Sequence, residues 1–126
     1  MKHYILLPNR MIAEVPDLME WATWFETADR DVAKTETELH IISTIFMGLD
    51  HSFSRKGPPI LFETMVFARD SHPSTVFGWT MEVHESFDCF RYSSWDDAEA
   101  GHRATVSRIL KTEADAARTV KEGFLT

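Results

Sequence analysis

Two segments of this chain are apolar on both alternating faces, and that pattern restricts the possible folds more than any other. Residues 40–49 read HIISTIFMGL and residues 59–68 read PILFETMVFA. Successive side chains of a strand point to opposite sides, so a strand that is apolar on both belongs inside a sheet. The β-branched content of 40–49 favours strand over helix. Between the two lies DHSFSRKGPP, residues 50–59, a loop marked by a glycine and two prolines. A connection this short favours antiparallel pairing, because parallel neighbours need long crossovers.

The flanking segments add helices. Residues 3–7 read as a short strand stopped by Pro8 and Asn9. Pro16 and Asp17 open a helix that Asp17 caps, with Glu20 three residues on. Leu18, Trp21, Ala22 and Phe25 follow as one apolar stripe, widened by Trp24, and the helix is expected to fade near 28–30. Residues 32–36 alternate like a half-exposed edge strand. RDSHPS (69–74) reads as a break. Over 75–84, Phe77, Trp79, Met81 and Val83 share a face expected to be buried, while Val76, Gly78, Thr80, Glu82 and His84 share a wetter one. Glu85 and Ser86 read as the turn into a partner strand over 87–93. Ser94 then caps a last helix, with Asp97 three residues later and Asp96, Asp97 and Glu99 favouring its dipole. Trp95, Ala98, His102, Val106, Ile109 and Leu110 form its inner stripe, and the helix is expected to end near Lys121, with Gly123 as its stop. The expectation is a single α+β domain over 1–126. In it an antiparallel β-sheet of about five or six strands packs in two layers with an N-terminal and a longer C-terminal helix.

Composition removes several classes of function. The 126 residues suit one domain, and 44% hydrophobic with 12% aromatic content suits a packed globule. A net charge of -7 disfavours phosphate backbones and anionic membrane surfaces, so neither nucleic acid nor membrane is an expected partner. Cys89 is the one cysteine, which excludes an internal disulfide and a Cys-rich zinc site and suits a reducing, cytoplasmic setting. The apolar run near the N-terminus is too short for a signal-peptide core, and no stretch approaches the length of a membrane span. The GxGxxG and GxxxxGK[ST] nucleotide loops, the GxSxG elbow and HExxH are all missing, and the sequence leaves any cofactor unknown.

Six residues are candidates for chemistry or binding. Glu63 shares a strand face with Leu61, Met65 and Phe67, where a carboxylate must be paired, hydrogen-bonded or protonated. It is either a general acid, a base or a ligand anchor, or a structural carboxylate paired with Arg91 or Arg30. His102 follows Gly101, whose missing side chain lets the helix approach the sheet closely. It is either the partner of Glu63 in an acid–base couple or a core histidine. Asp50 and His51 stand at a strand end, where loops often carry sites. With Glu63 and with His84 or His102 they could hold a divalent metal, although the spacing matches no metal motif, and a solvated turn is the simpler reading. Arg91 beside Tyr92 and Phe90 can hold a carboxylate or phosphate while a ring stacks. Trp21, Trp24, Trp79 and Trp95 fit core positions better than a ligand pocket. Cys89, in mid-strand, is poorly placed for a reactive thiolate.

WATWFETADRDVAKT (21–35), STIFMGLDHSF (43–53), PPILFETMVF (58–67) and RYSSWDDAEAGH (91–102) resemble a family of small bacteriophage and prophage proteins. The shared strings are a WF-E-x-x-x-R helix, an ST-F-x-G-x-D strand, an LFETM-F strand and an RY…A-x-x-GH helix start. They include Trp24, Phe25, Glu26, Arg30, Asp50, Glu63, Arg91, Tyr92 and His102. The resemblance implies a phage or prophage setting and assigns no activity or residue role. Residues 69–90 are longer than the family's connection, which leaves the strand count open and the region of Trp79 and Glu82 outside the resemblance.

Three functions follow, in order. The first is a binding protein that acts on a host protein or sequesters a small molecule. The half-wet face of 75–84 would allow a homo-oligomer. The second is a small hydrolase using Glu63 and His102, with or without a metal, which requires both side chains in one open pocket. The third is a minor virion component.

Overall fold

The computed structural model describes residues 1–53 and 56–125, side chains 124 and 125 excepted. Among the described residues it is an α+β fold of six strands and two helices: β1 (Tyr4–Leu6), β2 (Ile12–Glu14), α1 (Leu18–Thr27), β3 (Asp31–Glu36), β4 (His40–Phe46), β5 (Phe62–Val76), β6 (Trp79–Tyr92) and α2 (Trp95–Leu125). The strands divide between two antiparallel sheets, a small β1-β2 ribbon and a four-stranded sheet in the order β3-β4-β5-β6. Among the described residues no helix is long and apolar enough to cross a membrane.

The four-stranded sheet has one buried face. Ile42, Thr44 and Phe46 of β4, with Phe62, Thr64 and Val66 of β5, are fully buried there. α2 covers this inner face with Ala98, His102, Thr105 and Ile109, a spacing of three and four residues that sets one helical stripe against the sheet. Phe46, Phe62 and Trp95 meet edge to face. Phe46 and Phe62, fully buried, each contribute on the order of 1.5–3 kcal/mol by leaving water, and the partly buried Trp95 less. Leu110, expected on the inner stripe, is 51% exposed, and Thr105 takes a buried place instead.

Both helix starts follow the local sequence. The Asp17 carboxylate accepts the Glu20 N–H at 3.0 Å, and the Ser94 hydroxyl accepts the Asp97 N–H at 3.1 Å. In α1 the Trp21 indole donates to the Tyr4 carbonyl at 2.8 Å and packs on Phe25. Gly48, at φ +80°, sits so close that a Cβ there would lie 3.1 Å from the Trp21 ring. Leu18 is exposed and lies off the stripe expected for it. α2 does not stop at Gly123. A glycine at an exposed position costs about 1 kcal/mol of helix propensity, which does not by itself end a helix.

The region after Ala68 differs most from expectation. The 69–74 segment is strand, not a break, and 79–92 is one strand, not two joined at 85–86. The chain reverses instead at Phe77 and Gly78, whose φ angles of 52° and 81° give the left-handed pair that a two-residue hairpin turn needs. β4 ends at the His40↔Ala68 pair, so beyond it β5 has only β6 beside it, and Pro73 sits where a missing donor is tolerated. The expected turn at Glu85 and Ser86 is a register shift: Asp88 pairs with Val66 and Ser86 with Phe67, leaving Phe87 as a bulge. The result is a two-stranded arm. Its apolar residues are not buried as expected, since Trp79 is 75% exposed and Phe77 97%. The predicted 50–59 loop is loop at its described residues, positions 54 and 55 lying outside them.

Candidate binding surface

Strand alternation gives the four-stranded sheet a second, outer face. On it lie Lys34 of β3, Ile41 and Ser43 of β4, Glu63, Met65 and Phe67 of β5, and Cys89 and Arg91 of β6. α2 packs on the opposite side, and α1 contacts β1. Ile41, Met65 and Phe67 are only partly covered. Where the arm leaves the sheet, Glu82, Val83 and His84 rise beside Ile41, Ser43 and Phe67 to wall a cleft of about 470 Å³.

Glu63 stands at the other end of this face, directly across from Arg91 in the register. Its Oε2 accepts from Arg91 Nε at 3.0 Å and from the Cys89 thiol at 3.3 Å. The pairing of Glu63 with Arg91 that the sequence allows is present. Arg30 is elsewhere, over the Phe25 ring and donating to the Phe46 carbonyl. Burial raises the Cys89 thiol above its ordinary value, and the bond to Glu63 raises it further. The thiol is therefore no ready nucleophile.

His102 is on the inner face, 5% exposed. Its Nε2 is 2.8 Å from Thr35 Oγ1 and its Nδ1 is 2.8 Å from Thr44 Oγ1, which in turn is 2.5 Å from Thr64 Oγ1. Burial holds its pKa below the ordinary histidine value. Thr64 and Glu63 are neighbours on β5 and point to opposite sides. The structure thus separates Glu63 from His102 by the thickness of the sheet and does not bring them into one pocket.

Asp50 and His51 hold a loop. Asp50 Oδ1 accepts the N–H groups of Ser52 at 2.9 Å and Ile60 at 3.0 Å, while the His51 N–H donates to the Ile60 carbonyl. Burial would raise the Asp50 carboxyl, but the two backbone donors, together with the Ser52 side chain and His51, outweigh it and hold it below its usual range. A cavity of about 640 Å³ opens beside Asp50 between Tyr4, Phe53 and Pro59. Tyr92 faces away from Arg91 and packs on Gly101. Among the described residues no group of three or more His, Cys, Asp or Glu side chains is placed to hold a metal ion.

One polar residue of structural weight escapes sequence reasoning. Glu113 Oε1, on α2, accepts the Leu39 N–H at 2.7 Å and the Thr37 hydroxyl at 2.9 Å, and lies 3.5 Å from His40 Nδ1. It ties the helix to the β3–β4 turn. Only its place in the helical stripe, one turn beyond Ile109, could have marked it. Comparison with family models, with curated proteins and with solved structures returned no match.

Proposed function

We propose that this chain is a non-enzymatic binding protein of phage or prophage type. It acts in the bacterial cytoplasm and holds a host protein against the outer face of its four-stranded sheet. The observation that carries this reading is the asymmetry of the sheet. One face is sealed by α2, while the other offers Ile41, Met65 and Phe67 partly uncovered and flanked by the Glu63–Arg91 pair. An apolar centre with a charged rim is the usual anatomy of a protein-binding patch.

The alternative small-molecule reading rests on the same face. The cleft between the arm and Phe67 falls within the roughly 300–1,000 Å³ typical of ligand sites. The hydrolase reading draws no support from geometry, because Glu63 and His102 share no pocket.

The test is affinity capture from host lysate with the intact chain and with Ser43→Arg, which places a charge in the middle of the outer face. A host protein retained by the first and lost with the second, at unchanged melting temperature, supports the proposal. Equal retention by both moves the binding surface elsewhere, and a small molecule released on denaturation favours the cleft.

A further inference from the structure

Edges of β-sheets expose unpaired backbone groups, and proteins guard them with short strands, lysine, proline or bulges. β3, one edge of the sheet, has six residues and carries Lys34. The free side of β5 in the arm carries Pro73. β6 is the other edge, fourteen residues long, with neither lysine nor proline and with one bulge at Phe87. Trp79, Met81 and Phe87 are 75%, 51% and 60% exposed along it. The arm is also a two-stranded ribbon, which is marginal in water without a further strand or surface beside it.

We propose that β6 pairs antiparallel with β6 of a second copy across a two-fold axis, joining two four-stranded sheets into one. The sequence of the strand is self-complementary in one register. With Val83 on the axis, Glu82 faces the second copy's His84, acid against imidazole, and Trp79 comes opposite the second copy's bulge at Phe87, apolar beside apolar, each pair occurring twice. Moving the axis to Glu85 sets Glu82 against Asp88, like against like. A second copy is the partner that is always present as the chain is made, and it gives each arm the third strand it lacks. The pairing uses the edge of the arm, so Met65 and the Glu63–Arg91 pair stay uncovered, while Glu82, Val83 and His84, which also wall the cleft, come to lie at the axis.

The test uses the full chain in native mass spectrometry and light scattering. The expected mass is twice the 14.5 kDa chain, falling to a single chain in Trp79→Lys with unchanged circular dichroism. In a Cys89→Ser background, Val83→Cys is expected to form an interchain disulfide on air oxidation, because position 83 faces itself, while Thr75→Cys on β5 stays reduced. A wild-type chain that remains monomeric through a micromolar dilution series overturns the proposal. So does a dimer that survives Trp79→Lys, or one that cross-links through position 75 and not 83.

Discussion

The ring of Tyr92 occupies the space where a side chain at position 101 would begin. Gly101 is therefore required by the last residue of β6, not by the helix that contains it. Gly101→Ala gains about 1 kcal/mol of helix propensity but forces the ring out of a packed site, a change that typically costs roughly 1–3 kcal/mol. The melting temperature is expected to fall. In a Tyr92→Leu background the same substitution should turn neutral or stabilising, and thermal melts of the four proteins in this cycle check it.

His102 gives stability a pH dependence of known sign. Burial lowers its pKa in the folded state below the 6.5 it has when exposed. Below that value the unfolded chain binds a proton that the folded chain resists, so this contribution is complete above about pH 6.5 and declines as pH falls toward the folded pKa. The slope reaches at most about 1.4 kcal/mol per pH unit. Denaturant melts between pH 5 and 8 should show the decline in the wild type, and His102→Asn should flatten it.

Glu113 has the opposite chemistry and the same direction. Burial opposes its charge, but the Leu39 N–H, the Thr37 hydroxyl and His40 outweigh that and place its pKa below the ordinary 4.5. Its contribution is present above pH 4.5 and is lost as the pH falls below that value. Hydrogen bonds to a charged group are worth roughly 1.5–3 kcal/mol, so Glu113→Ala should destabilise by about that amount at neutral pH and by less in acid. Hydrogen exchange at Leu39 should accelerate in the same variant.

Cys89 reports on the pair beside it. Burial raises its pKa most, Glu63 raises it through a hydrogen bond and its charge, and Arg91 lowers it. Alkylation by iodoacetamide at pH 8 should be several-fold faster in Glu63→Gln and slower in Arg91→Ala. Removing this partly exposed ion pair should change stability by about 1 kcal/mol or less. A larger loss would assign Glu63 a heavier structural part.

The elements that the sequence marks unambiguously are those whose local chemistry and packing agree. Asp17 and Ser94 cap where a cap is needed, and residues 40–46 are apolar on both faces because they lie inside the sheet. The arm is not legible in the sequence because Pro73 and the polar residues around it look like a loop. They are strand because β6 supplies a partner along their length, which is a non-local fact. The turn at Phe77 and Gly78 was hidden because a bulky residue there occupies left-handed space. Glu63 and His102 were both legible as polar residues in apolar surroundings. Their separation was not, since it depends on which face each strand gives to α2.

The row Thr35–His102–Thr44–Thr64 runs from β3 through α2 into β4 and β5. A neutral imidazole carries one hydrogen, on either nitrogen. With it on Nδ1, the ring donates to Thr44, Thr44 to Thr64, and Thr35 to Nε2. With it on Nε2, every one of these arrows reverses and each bond is kept. The seam between helix and sheet is thus a dipole with two complete polarities of equal connectivity. Tautomeric exchange can invert the local field in the core while the backbone around it stays still.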